Sequence, residues 1–410
     1  MKVWVKLLIG SILGITLGLL LPENQAVREG LAWLEQLALR VGRYAVIPML
    51  VFVLTIGIYE LLQDKQFWPL VLKNGLMIAG VSILVIAMGV LATLAFLPKA
   101  RIPILTEEQL GTIGLDIAQN INELFPYNMF GVLAGEGVYL FPVCVFAFFL
   151  GLGLSHHRSH NKPVIALIDS LSHVFYNIAL FFIEILGFVI IVLSCYWAVC
   201  FREVLRADIF LDLILLLGIF ALVLGFGIFP MLLYFIRPKT NPWAVLYGSL
   251  GPAITAFFSG DVNVSLPVLL SHTTTNLGVQ RKSAAVSLSL LTTLCRVGSA
   301  MVAVVAFIVI FKSYSSLRIT STQILSISFR ALLISFLLAR HPGDGAYTAL
   351  AVLCIGYGKG FEAGYLILKP LAFYLIAIGA FLDVMIASFA TYVTAWLSGF
   401  VEEKSPARRI

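Results

Sequence analysis

Hydrophobic residues run along this chain in long blocks, not in the alternating or one-faced patterns of a soluble domain. With roughly 17 to 25 apolar residues taken as one membrane crossing, candidate spans fall at residues 4–21, 44–63, 71–97, 138–155, 164–200, 209–236, 283–312 and 366–400. Two further apolar segments, 245–270 and 324–358, are interrupted at their middles by Ser259-Gly260-Asp261-Val262-Asn263 and His341-Pro342-Gly343-Asp344-Gly345. Lipid cannot satisfy the backbone groups that glycine and proline free, nor solvate a carboxylate, so such clusters must be enclosed by protein or line a watery cavity. The pattern predicts an all-α polytopic membrane protein: eight spans, the one at 283–312 unbroken, plus two helical hairpins. The hairpin tips are expected to meet inside the protein and turn helix-terminal N–H groups toward a ligand. Paired interruptions of this kind point to the binding site of a secondary transporter.

Composition agrees with a membrane setting. The 410 residues are 60% hydrophobic and 12% charged, against roughly a quarter charged in soluble proteins. The net charge is +6, with basic residues at loops and ends such as Lys2, Lys6, Arg237, Lys239, Arg281, Lys282, Lys404, Arg408 and Arg409. That distribution suits lipid headgroups, and no basic groove with interleaved aromatics suggests a nucleic-acid partner. The five cysteines sit singly in apolar stretches and imply neither disulfides nor zinc. No nucleotide-binding glycine motif, metal-ligand cluster or Ser-His-Asp arrangement argues for an enzyme, a cofactor or ATP drive. The first apolar run follows Lys2 and Lys6 but lacks a small-residue cleavage site, so it reads as a retained membrane helix.

Several motifs carry a family resemblance. Val46-Ile47-Pro48-Met49-Leu50-Val51-Phe52, Asn128-Met129-Phe130-Gly131-Val132-Leu133-Ala134-Gly135, Ser265-Leu266-Pro267 and Pro342-Gly343-Asp344-Gly345 occur in this order along the chain. In order and spacing the chain resembles the glutamate transporter family, the dicarboxylate/amino acid:cation symporters, along nearly its whole length. The resemblance implies an elevator-type fold with inverted repeats, assembled as a homotrimer in the cell membrane (the inner membrane in a bacterium). A scaffold would come from about residues 1–70 and 120–200, and a mobile transport domain from about 71–97 and 209–400. Basic residues fall on both sides of the spans, so the positive-inside balance is weak. Both termini are placed in the cytoplasm from the basic tails and the resemblance together.

Departures from the family pattern are equally informative. Where relatives have Asn-Met-Asp-Gly-Thr, this chain reads Cys295-Arg296-Val297-Gly298-Ser299, so the sodium-binding asparagine and aspartate are absent. In the last span the family's polar series becomes Asp383, Ile386, Ala387, Ala390 and Thr394, keeping the first aspartate alone, and third-span sodium ligands align with Ile78, Val81 and Ser82. Sodium needs several hard oxygen ligands, with charge to offset its own. Two of the three family sodium sites lack their side chains here, which implies proton-coupled or sodium-independent transport. The alternative is a sodium-coupled dicarboxylate or glutamate symporter with rebuilt cation sites.

Arg296, expected midway along an apolar helix, costs about 2.5–3.5 kcal/mol on insertion scales and needs a partner or water. It is expected to pair with Asp383, Asp261 or Asp344, either as a fixed replacement for bound sodium or as a structural ion pair. By resemblance Asp383 would hold a substrate ammonium, making an amino acid the leading substrate, with a related organic acid or dicarboxylate next. The family's carboxylate-gripping arginine is Ile386 here, which favours a neutral amino acid unless Arg296 takes that role. Ser299, Asn263, Ser265, His341 and Gly345 are candidate pocket residues, while Pro342, Gly343, Gly260 and Gly298 shape the backbone. Glu184, a lone acid in the fifth span, reads as a charge partner or interface residue before a proton carrier; His341 and Asp344 are better placed for protons. An ion pathway and a non-transporting sensor remain alternative functions.

Overall fold

The computed structural model describes residues 3–22, 24–96, 117–156, 158–205, 208–238, 241–314, 320–358 and 360–402. Lys2, Lys239, Lys404, Arg408 and Arg409 lie outside them. Nearly all of the described chain is helical, in the order α1 (Val3–Leu20), α2 (Gln25–Arg43), α3 (Val46–Gln63), α4 (Phe67–Ala95), α5 (Ile117–Leu124), α6 (Phe141–Ser155), α7 (Arg158–Leu205) and α8 (Leu211–Leu222). There follow α9 (Phe229–Ile236), α10 (Pro242–Ser259), α11 (Val262–Thr275), α12 (Arg281–Leu294), α13 (Val297–Tyr314), α14 (Ser321–Leu337), α15 (Gly345–Tyr357) and α16 (Ala372–Leu397).

Eight helical stretches among the described residues are long and apolar enough to cross a membrane. They are not the same eight that the hydrophobic blocks predict. The stretch Ser321–Arg340, expected as one arm of a hairpin, is long enough to qualify, whereas Phe141–Ser155 is short. At 48 residues α7 extends about 72 Å, more than twice the hydrocarbon thickness. It lies along α1, where Gly10, Gly14 and Gly18 form a small-residue stripe. A Cβ on Gly14 would meet Ser194 Oγ at 1.9 Å, so the two backbones approach as only glycine permits. Between α8 and α9 the helix widens into a π turn over Val223–Ile228, just ahead of Pro230, whose ring opposes the carbonyl four residues back.

The chain doubles back at 260–261 for reasons legible in its residues. Gly260, at φ +63°, ends α10 in the left-handed conformation, and the Asp261 side chain caps α11 by accepting from Asn263 N at 2.7 Å. A second turn-back follows α14, which starts in a Thr320/Gln323 capping box, passes through a 3₁₀ turn at Leu338–Arg340 and the Pro342–Gly343 bend, and restarts at Gly345. Buried α13 and α16 form the centre, wrapped by α4, α10, α12, α14 and α15.

Residues 283–312 fall within one membrane-crossing stretch, Arg281–Ser313, as expected, but the stretch is not unbroken. α12 ends at Leu294 and α13 starts at Val297, leaving Cys295 and Arg296 outside both. Arg296 is therefore not midway along a helix. Glu184 is not a lone acid either: its half-exposed carboxylate pairs with Lys6 of α1.

Candidate functional site

The interruption at 295–296 leaves the first amides of α13 without helical acceptors. Asp383, on the buried part of α16, answers them. Its Oδ1 accepts from Ser299 N at 3.1 Å, its Oδ2 accepts from Ser299 Oγ at 2.6 Å, and the Gly298 amide faces it as well. A carboxylate at a helix N-terminus is also favoured by the helix dipole. Gly298 makes the approach possible, since a Cβ there would lie 2.7 Å from Asp383 N. A Cβ on Gly345, which opens α15, would lie 3.4 Å from Ser299 Oγ, and one on Gly379 of α16 only 2.9 Å away. Three helices thus converge on one serine.

Arg296 lies beside this cluster, 2% exposed, with Nη1 3.9 Å from Asp383 Oδ2. Its Nε has no hydrogen-bond partner among the described residues. Of the three carboxylates expected as partners, Asp383 is the one within 4 Å. Asp344 accepts from Thr348 Oγ1 at 3.0 Å and pairs with His341 Nδ1 at 3.2 Å. Asp261 is taken by Arg43, whose Nε and Nη2 lie 2.6 and 2.5 Å from its Oδ2.

The two turn-backs meet, with Val262 N donating to Pro342 O at 3.4 Å. Arg43, the last residue of α2, spans the junction: a Cβ on Gly343 would come 3.5 Å from its Nη2. Asn263 Nδ2 donates to Gly137 O and Val138 O at 3.0 and 2.7 Å, ahead of α6. Arg340 pairs with Glu123 of α5 at 2.9 Å. Both tips are therefore held by early elements of the chain, through ion pairs of opposite sense.

The model of the sodium:dicarboxylate symporter family matches residues 3–400. The chain belongs to the sodium:dicarboxylate symporter family. Over 183 residues it is 26% identical to the proton/sodium-glutamate symport protein of Bacillus subtilis (strain 168), covering 42% of each chain. Over 227 residues it is 26% identical to neutral amino acid transporter A of Homo sapiens, covering 53% of this chain and 41% of that one. Each matched stretch spans less than half of the relative. Membership of this symporter family and the apolar helices together make this a multi-pass membrane protein.

Within this chain, Asp383, Arg296, Ser299, Gly298 and Gly345 come together at one buried centre. Asp261, Asn263, Pro342, Gly343, His341 and Asp344 gather at the meeting tips, and Gly260 shapes the first. Ser265 is buried but donates to Val262 O of its own helix at 2.7 Å. Glu184 sits with Lys6 on the α1–α7 pair, apart from both groups. Arg43, Arg340, Glu123, Thr348 and Gly379 escaped the sequence reading. Nothing in the sequence aligns Arg43 and Arg340 with acids more than two hundred residues away.

Sodium's fit can be judged from the donor set. Cys295, Val297, Ile386, Ala390 and Thr394 supply no carboxylate, and Asp383 is engaged by Ser299 beside a buried cation. Neutral oxygens are nevertheless left without partners among the described residues: Asn74 Oδ1 on α4, Ser283 Oγ on α12 and Thr391 Oγ1 on α16, three helices that pack together.

Proposed function

We propose that this protein is a secondary carrier for a small amino acid or organic acid, in which Arg296 stands where relatives hold a coupling cation. The observation that carries the reading is a fully buried guanidinium, incompletely paired, at the interruption between α12 and α13 and next to Asp383 and the glycine-lined start of α15. Its family and two of its relatives, a glutamate symporter and a neutral amino acid transporter, support the substrate class.

The placement of charges supports one working cycle. The tips enclose the site, Asp383 and Ser299 fix one wall, and Arg296 supplies positive charge without an ion being bound. α4 and α8–α16 would move as a transport unit against α1–α3 and α5–α7 in an elevator motion, within a homotrimer whose termini face the cytoplasm. Drive would come from protons, with the His341–Asp344 pair at the second tip as the relay, or from the substrate gradient alone.

A second reading is favoured by the unpartnered oxygens of Asn74, Ser283 and Thr391: sodium coupling through a rebuilt site of neutral ligands. The carrier reading itself is tested by counterflow in proteoliposomes. Saturable uptake accelerated by substrate loaded on the opposite side is expected. Flux that rises linearly with concentration, without such acceleration, would indicate an ion pathway.

A further inference from the structure

The buried centre leaves a donor unsatisfied. Arg296 carries five N–H groups in a rigid fork. Its nearest carboxylate oxygen is 3.9 Å away, beyond hydrogen-bond reach, and its Nε is unpartnered. Buried polar groups of native proteins are almost always satisfied, and one that is not calls for a water, an ion or a ligand. The acids nearby are already committed. Asp383 accepts from the amide and hydroxyl of Ser299, Asp261 from Arg43 and Asn263, and Asp344 from Thr348 with His341 alongside.

We propose that Arg296 is the substrate-carboxylate ligand of this protein, and that its substrate is a carboxylate anion with no ammonium group beside that carboxylate. The inference rests on the carrier reading above. A carboxylate brought to the guanidinium can take two parallel N–H bonds, the geometry in which arginine outperforms lysine. An ammonium on the neighbouring carbon would find each nearby acid already accepting hydrogen bonds and would lie within a few ångströms of a buried cation, where repulsion is poorly screened. An α-amino acid therefore gains less here than the same skeleton without its amino group. The assignment departs from the resemblance, which gives Asp383 the ammonium.

The test uses matched pairs that differ by one amino group: succinate and aspartate, glutarate and glutamate, propionate and alanine. Two readouts run in parallel on the full chain: ligand-induced thermal shift of the purified protein, and uptake into proteoliposomes. In at least one pair the deaminated member is expected to half-saturate at a concentration at least tenfold lower. Arg296→Lys, which keeps the charge and loses the fork, is expected to weaken that ligand by tenfold or more while leaving the unliganded melting temperature close to wild type. Arg296→Met should abolish binding; should it fail to fold, the lysine variant and the wild-type pairs decide. Preference for the amino member in every responding pair, or undiminished carboxylate binding by Arg296→Lys, would overturn the proposal. Carboxylate binding without flux would leave the Arg296 assignment standing and sink the carrier reading, whereas no response to any compound would sink both.

Discussion

Arg43→Met removes a guanidinium that lies 2.5 Å from Asp261, whose side chain has no exposed surface. Stripping one partner from a buried ion pair costs about 3–5 kcal/mol, because the other charge stays behind without compensation. Asp261 keeps the Asn263 amide, and the Arg43 side chain is one-fifth exposed, which places this case at the low end, about 3 kcal/mol. At about 1.4 kcal/mol per factor of ten, the docked arrangement of α2 and the first tip should lose about 100-fold in population relative to an undocked one. Val264 reports on docking: it is 1% exposed, and a Cβ on Gly42 would come 2.6 Å from its Cγ1. The native cysteines are all buried, so maleimide labelling of Val264→Cys reads the opening of this contact. Labelling should accelerate about 100-fold in Arg43→Met, because the rate follows the open population when opening and closing are fast. Asp261→Asn keeps a good helix cap. Combined with Arg43→Met it removes both charges, so the double variant should label within about tenfold of wild type. Single effects that simply add in the double variant would show the two residues to be uncoupled and would refute the reasoning.

Other expectations are more local. Ser299→Ala deletes the 2.6 Å bond to Asp383 and should raise KM, with a stability loss of about 1.5–3 kcal/mol by thermal melt; Ser299→Thr should restore both. Gly298→Ala forces a methyl to 2.6 Å from Leu382 Cβ, an overpacking cost of about 1–3 kcal/mol seen as a lowered melting temperature. Glu123→Gln breaks a pair whose side chains are 38% and 32% exposed, so the melting temperature should move by no more than about 1 kcal/mol allows; a larger drop would mean that the second tip is held far more tightly than its exposure indicates.

Much of the fold can be read from the sequence because lipid imposes a simple rule, apolar runs of fixed length, and punishes exceptions. Gly260 and Pro342 stand out in such runs, and both mark turn-backs. The break at Cys295–Arg296 does not stand out, since neither residue is a helix breaker and the flanks are apolar on both sides. It exists because Asp383 caps the restarted helix from 84 residues away. The amphipathic α2 escapes a search for apolar runs, being polar along one face, yet it ends in the arginine that holds the first tip. Charge pairing is illegible for the same reason. The sequence offers Arg296 three acids, and packing commits two of them elsewhere. Site geometry is set by long-range contacts, whereas the spans are set by neighbours.

The most direct measurement of whether Arg296 replaces a bound cation is substrate uptake into wild-type proteoliposomes at equal pH on both sides, with sodium exchanged for choline. Unchanged initial rates are expected if the guanidinium already supplies the positive charge. Uptake that collapses in choline would contradict that role and point to a sodium site built from neutral oxygens such as those of Asn74, Ser283 and Thr391.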